Sequence, residues 1–564
     1  QFVDARQPFW IGRAMNGFMT RLREAYSVIL AAALRRRWTV IAAATAVFLA
    51  SLSLIKVIPR EFSPAQDQSR FLVRMQTPVG SSISFTSEVM AKAEEWAMKE
   101  PNVKIYLAII GGFGGGAVNA GQMIITMKPV GERVPLVPGG RPPGQQEFMS
   151  YARKVLNAIP GIQRAVIQDP SLTGFSAQRG FPVELSVRGP EWERLAGLSS
   201  ELMQKMNDSG RMVDVDTDYL EGMPEVKVLP DRDKAAARGV SISSIGDAVN
   251  AMIGGIRVGK FTKGGKRYDI RLRLVDKDRK NAQDINKIWV RNNHGEVIRL
   301  SDVVRIEEKP TLLSISRRNR ERAIGVFANV APGSSQEEAL SEVERLAKTI
   351  LPEGYRVVFS GTSKTFQESF QSLNFALVLG IFVAYMILAS QFNSFLHPMI
   401  VLLALPFSIT GAFIALKVGH QSLNIYSMIG FILLMGIVKK NSILLVDFTN
   451  QRRRLGGMGV NEALMDACPV RLRPILMTSF ATIAAAIPPA LGIGPGAETR
   501  IPMALVVIGG VLVSTFLTLL VVPCAYSLLS RLESHRHDKD LRQALLSLGE
   551  IKDESRLGGD TLPR

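Results

Sequence analysis

Six stretches of this chain are long and apolar enough to cross a lipid bilayer: residues 38–57, 373–390, 395–417, 425–448, 474–493 and 501–528. A helix needs about 20 such residues to span the hydrocarbon core. The first run, "WTVIAAATAVFLASLSLIKV", is cut off from the other five by a long segment of ordinary soluble composition. The expected architecture is therefore an α-helical transmembrane bundle in a 1+5 arrangement, with a large α+β insert between the first and second spans.

Basic loops orient the spans. "LRRRW" (34–38) precedes the first, "NQRRRLGG" (450–457) and "RLR" (471–473) lie between the fourth and fifth, and "SRLESHRHDK" (530–539) follows the sixth. If these regions are cytoplasmic, all six spans alternate without conflict. The insert then lies on the far side, with the short loops "KVGHQSLN" (417–424) and "GIGPGAETR" (492–500), which lack a basic cluster. Residues 1–37 read as a cytoplasmic amphipathic helix at the membrane surface, and 531–564 as a polar tail.

The insert alternates strand and helix patterns. Strands are expected near 71–77, 103–110, 121–128 and 163–168, with helices at 84–98 and 145–158. That β-α-β-β-α-β order is the split ferredoxin-like unit. A second unit starts at 182–189 with a helix to about 206. Strands at 211–218 and 224–230 follow, and it resumes at 323–330 with a helix at 335–350 and a strand at 355–361. The expected divisions are 59–168 for the first unit, 169–254 with 319–361 for the second, and 255–318 for a β-rich domain inserted in it. The five later spans then occupy 362–530.

Composition narrows the function. The chain has 564 residues, 47% of them apolar, and a formal net charge of +18. In a membrane protein such a charge reads as basic loops facing the cytoplasm and anionic lipid rather than nucleic acid. Cys468 and Cys524 form no disulfide or metal spacing and read as small buried hydrophobes. The five histidines (294, 397, 420, 535, 537) are scattered, and no HExxH, CxxC, GxSxG or phosphate-binding loop occurs. This is not the pattern of an enzyme, and no cofactor is expected. The chain starts at Gln1 without a signal-peptide pattern and reads as a piece of something longer.

Within "GIVKKNSILLVDF" (436–448), Lys439 and Lys440 interrupt the fourth run near its middle. A charge at that depth costs about 2.5–3.5 kcal/mol on insertion scales. Snorkelling to an interface is hard from mid-span. Adjacent helix positions lie about 100° apart, so the two lysines cannot share a face. A lysine facing other helices needs an acid, and the later spans offer only Asp447, two turns from Lys440. The partner is expected from outside this chain. Arg471 and Thr478 are seven residues apart and share one face of the fifth span. Each also has a plainer reading, as an interfacial anchor and as a back-bond to its own helix.

These stretches, with "EALMDACPVRLRPILMTS" (462–479) and "YMILASQFNSFLHPMIVLLALPFSITGA" (385–412), resemble the resistance-nodulation-division transporters. The resemblance is to the hydrophobe/amphiphile efflux group, inner-membrane pumps of tripartite multidrug systems, and to their C-terminal half. It implies drug/proton antiport, two porter subdomains and a docking subdomain on the periplasmic side, and a homotrimer in the bacterial inner membrane. The implied partners are the N-terminal half of the pump, a periplasmic adaptor and an outer-membrane channel. It also implies that Lys440, Arg471 and Thr478 belong to a proton relay around two aspartates of the missing half. "GGFGGGAVNAG" (111–121) resembles the switch loop between drug pockets, with Phe113 as an aromatic contact and Gly115 where some members have a second phenylalanine. Leu72, Ile124 and Phe181 match pocket-lining positions and would otherwise be core. Heavy-metal export is the nearest alternative, with Met75, Met123 and Met127 as soft ligands, although methionine in strands is usually core; a non-functional fragment lacking the proton-binding aspartates is the other.

Overall fold

The computed structural model describes residues 10–111, 117–172, 180–312, 314–456, 458–494 and 496–530. Helix α1 (Trp10–Arg35) leads almost directly into α2 (Arg37–Leu52). Tyr26 and Leu30 of α1 are buried in a cluster with Leu472, Ile475 and Tyr526, while Phe18, Val28 and Ile29 are exposed. The amphipathic pattern thus docks one face on the bundle and turns the other outward.

The chain then forms β1 (Arg70–Gln76), α3 (Ile83–Lys99), β2 (Val103–Ile110), β3 (Ala120–Met127), α4 (Gln145–Asn157) and β4 (Arg164–Gln168). The four strands make one antiparallel sheet of order β2-β3-β1-β4. Strict alternation puts Phe71, Val73, Met75, Met123, Ile125 and Met127 on the face covered by both helices, where Phe148 and Leu156 complete the core. Ser82 starts α3 by accepting a hydrogen bond from the Phe85 amide, an N-terminal cap.

A second unit follows: β5 (Val183–Gly189), α5 (Trp192–Asp208) and β6 (Met212–Thr217). The chain next adds β7 (Met223–Pro230), α6 (Arg232–Ala237), α7 (Ile242–Val249), β8 (Ile256–Lys263), β9 (Lys266–Leu272), β10 (Trp289–Arg291), β11 (Val297–Arg299) and β12 (Val304–Thr311). It returns through β13 (Arg317–Arg318), β14 (Glu321–Val330), α8 (Gln336–Ile350) and β15 (Arg356–Phe359). Strand order is β13-β14-β5-β15, with β6 on the free part of β14. Apart from the short β13, this repeats the first unit's order. Two expectations need correction. The strand expected at 224–230 belongs to neither ferredoxin-like sheet: among the described residues β7 pairs only with β12. Ala235, Val240 and Ile245 pack with Ile285, Val290 and Leu300 in one small core, so the inserted domain closes around residue 223 rather than 255.

The bundle resumes with α9 (Gly361–Phe392), α10 (Leu396–Leu402), α11 (Ala404–Val418), α12 (Ile425–Gly456), α13 (Val460–Ala490) and α14 (Arg500–Leu529). Among the described residues, six helical stretches have the length and composition to cross a membrane. Those holding α11 and α14 are 61% and 56% buried, against 11% for α2 and α9, so the first pair forms the centre. Glycines allow it: a Cβ on Gly411 would stand 2.2 Å from the Gly509 carbonyl oxygen. Close approach at small residues is how helices associate in lipid, where apolar burial drives nothing.

The two ends of the bundle differ. At one, Arg37 donates to Ser527 (3.0 Å), Ser527 to Asn461 (2.8 Å) and Arg453 to the Tyr526 hydroxyl (2.8 Å). Arg37 and Arg453, from two of the basic stretches, therefore share this end. At the other, residues 58–63 join bundle and insert. The Leu423 amide donates to the Pro59 carbonyl (2.8 Å) and the Glu61 amide to the Leu423 carbonyl (3.2 Å). On the insert side Arg60 pairs with Glu337 at 2.6 Å, and the Phe62 amide donates to the Gln336 side chain at 2.9 Å.

Candidate functional site

Lys440 lies fifteen residues past Ile425 and sixteen before Gly456, about 22 and 24 Å along the axis from the two ends of α12. A lysine stem does not cover that distance, so the ammonium stays at mid-span. Its side chain is exposed on the surface of this chain, while Lys439 is half-buried. Among the described residues neither has an ion pair or hydrogen-bond partner. Asp447 is exposed and accepts a hydrogen bond from Gln451 at 3.0 Å.

The neighbouring Asn441 is buried and begins a polar chain through the bundle. Its amide donates to Ser479 (3.2 Å), which shares a 2.8 Å hydrogen bond with Thr515, and Thr515 donates to the Val511 carbonyl (2.7 Å). Thr478 donates to the Ile475 carbonyl (3.1 Å) and its hydroxyl lies 3.5 Å from Asn441 Oδ1. The structure thus places Thr478 one residue from Lys440, across the α12–α13 seam. Arg471 is set apart. Its guanidinium lies 4.2 Å over the ring of Phe448, two turns of α12 from Lys440, about 12 Å along the axis. The stacking holds the head by its π-face, and its buried Nε has no hydrogen-bond partner among the described residues. Asn441, Ser479 and Phe448 went unnoticed in the sequence. The signal of Asn441 and Ser479 is polarity at mid-span, which the two lysines overshadow; Phe448 is one more aromatic residue in an apolar run.

A second site lies between the ferredoxin-like units. A cavity of about 280 Å³ is lined by Arg74, Gln76, Gln122, Phe181, Asp216 and Leu220 among others. Phe181 is buried against Val166 and Phe327, its ring centroid 5.7 Å from that of Phe327. Leu72 and Ile124 are register partners, and Leu107 of β2 continues the row. They stand on the helix-free sheet face, one step along the strands from the Arg74–Gln122 pair that lines the cavity. Arg164 to Asp216 (2.6 Å) and Arg153 to Asp214 (2.9 Å) clamp the two units together. Gly111 and Ala117 also line the cavity. Phe113 and Gly115 lie outside the described residues.

Met75, Met123 and Met127 are 2%, 0% and 1% exposed and face the two helices of the first unit. Cys468 and Cys524 are buried thiols. Among the described residues no group of three or more His, Cys, Asp or Glu side chains is placed to hold a metal ion.

With this geometry in hand, the chain can be set beside known proteins. A family model described as AcrB/AcrD/AcrF family matches residues 3–530. Two crystal forms of a heavy metal efflux pump superpose on the chain with a TM-score of 0.79 at 22% identity. The matches cover 91% of this chain and 52% and 53% of those chains, so it spans about half the length of the solved structures it matches. At that identity the likeness speaks for the fold.

Proposed function

The chain belongs to the AcrB/AcrD/AcrF family of resistance-nodulation-division permeases, and from that premise we propose that it is the C-terminal half of a proton-driven pump exporting amphiphilic small molecules. It is a transporter rather than a catalytic enzyme. The observation that carries the antiport reading is Lys440: an ammonium at mid-span, exposed on this chain, with no carboxylate paired to it among the described residues. Burying that charge unpaired is costly. A carboxylate donated by helices outside this chain removes the cost, and it can bind and release protons. While the acid is ionised it holds Lys440; once protonated it lets go. Thr478 and Asn441 tie the lysine's helix to α13, and Arg471 supplies a second cation on the same seam. The helix shift passes to the porter units through residues 58–63. The cavity bearing Phe181, flanked by Leu72 and Ile124, takes the amphiphile.

The proposal extends to a homotrimer in the bacterial inner membrane, with a periplasmic adaptor and an outer-membrane channel. Heavy-metal export, the activity of the two structural neighbours, is the second reading. The methionines that would serve it are packed in a sheet core, which favours the amphiphile.

The test uses proteoliposomes holding this chain together with the complementary half. A fluorescent amphiphile is expected to move only when a pH gradient is imposed and both halves are present. Transport without the gradient would overturn antiport. Export of copper or zinc ions, with no movement of the dye, would transfer the assignment to metals.

A further inference from the structure

The second ferredoxin-like unit carries a feature the transport reading leaves unused. Arg188, Arg317, Arg320, Arg322 and Arg356 line one open cavity of about 500 Å³ together with a single carboxylate, Glu321. They arrive from four strands and a turn. Arg188 and Arg356 are register partners across β5 and β15, and Arg317 and Arg322 across β13 and β14. Like charges placed opposite each other on neighbouring strands repel, and here it happens twice within one cavity.

Glu321 answers only part of that charge. It accepts from Arg356 at 2.8 Å through both oxygens and lies 3.6 Å from Arg188. Arg322 donates to the Pro190 carbonyl, which offers no charge. Arg317 and Arg320 are exposed, with no ion pair or hydrogen bond among the described residues. Among the described residues three guanidiniums are thus left without a carboxylate. The turn aims one of them. Asn319 and Arg320 both have positive φ, +52° and +69°, the conformation of a tight two-residue hairpin in which Asn-Gly is the preferred pair. Arginine occupies the glycine position at a conformational cost and brings a guanidinium to the cavity rim.

We propose that this cavity binds a soluble small anion carrying two neighbouring phosphate or carboxylate groups. Guanidinium forks match such oxygens bidentately, and two anionic groups are needed to offset three unanswered cations. The position in the fold selects a soluble ligand over a lipid headgroup. β15 enters the bundle through Ser360 and α9, and Arg356 is at its opposite end, about 16 Å of extended strand away from Gly361.

The experiment is calorimetric titration of the purified full chain with inorganic pyrophosphate and, separately, inorganic phosphate at constant ionic strength. Saturable pyrophosphate binding is expected, at least tenfold tighter than phosphate. The double variant Arg317→Ser/Arg320→Ser is expected to lose it tenfold or more with an unchanged unfolding midpoint, because both side chains are exposed. Glu321→Gln is expected to tighten it, since the competing carboxylate is gone; a merely structural role for the arginines predicts no such gain. Unsaturable heats, equal affinity in the double variant, or no gain in Glu321→Gln overturn the proposal. So does competition by phosphatidylglycerol vesicles, which would assign a lipid headgroup, or tighter binding of an oligoglutamate peptide, which would assign an acidic protein surface.

Discussion

At the scale of single residues, two charges decide what can be tested. Lys440 is exposed on this chain and has no ion pair or hydrogen bond among the described residues, so Lys440→Ala removes no polar contact made among them. In the assembled pump, dye efflux is expected to fall to the background of cells lacking the pump, while the unfolding free energy of this chain on its own moves by no more than about 0.5 kcal/mol. A variant that pumps at the parental rate would sink the relay role. Arg133 is the opposite case. Its side chain is fully buried and donates to both Asp67 oxygens at 2.6 Å, to Ser69 (2.9 Å) and to two carbonyls. Arg133→Met leaves Asp67 largely buried and unpaired, at an expected cost of about 3–5 kcal/mol. Burial by itself pushes the Asp67 pKa up. The Arg133 hydrogen bonds and charge, with the Gln145 and Ser69 amides, outweigh it and hold the carboxyl below its ordinary 3.8. The folded state then binds fewer protons than the unfolded one. The stabilisation is therefore present above that value and lost as pH falls through the folded pKa. Asp67→Asn should flatten acid unfolding below about pH 4, read by thermal scans across pH. Neither residue of this pair stood out in the sequence, because 66 positions separate them.

At the scale of elements, the bundle was the most legible part. Hydropathy located all six apolar helices, since a lipid-spanning helix is written as a continuous run. The starts were less legible. The fifth apolar run begins near 474, yet α13 starts at Val460 and continues through Pro469 and Pro474. Proline removes a hydrogen-bond donor but need not end a helix whose neighbours satisfy the freed groups. Nor did pattern reveal the partner of β7. An alternating strand fits any edge, and β12 lies far along the chain. The seam between α11 and α14 offers a direct test of helix packing. Gly411→Ala forces a methyl against the Gly509 carbonyl oxygen at 2.2 Å and should cost about 1–3 kcal/mol. Gly436→Ala on α12 meets nothing within 4 Å and should be neutral or slightly stabilising through helix propensity. Equal unfolding midpoints for the two variants would refute close packing at this crossing.

At the scale of the whole molecule, residues 58–63 form one joint between bundle and insert, in addition to the passage from β15 into α9. Glu61 sits in it, accepting a hydrogen bond from Ser422 of the loop between α11 and α12. Burial raises its pKa, only partly offset by the Ser422 hydroxyl. The folded state therefore binds more protons than the unfolded one above the ordinary 4.5. The stabilisation is full below that value and disappears as pH rises through the folded pKa. Glu61→Gln keeps an acceptor for Ser422 without the charge. Its unfolding midpoint should exceed the parent's at pH 7 and converge with it near pH 4. A variant that tracks the parent at every pH would show that Glu61 is well solvated.

The sequence by itself determined the six apolar helices, the β-α-β-β-α-β order of the first unit and the cost of leaving Lys440 unpaired at mid-span. These follow from local periodicity and from the cost of a charge in hydrocarbon, and both act on consecutive residues. Only the tertiary structure decided that Lys440 faces outward from this chain, and that Thr478 rather than Arg471 reaches Asn441, the residue next to it. It alone placed Met75, Met123 and Met127 in a core and gathered five arginines around one carboxylate. Those outcomes depend on strand register and on helix rotation about the axis, which bring distant residues together without leaving a periodic trace in the chain.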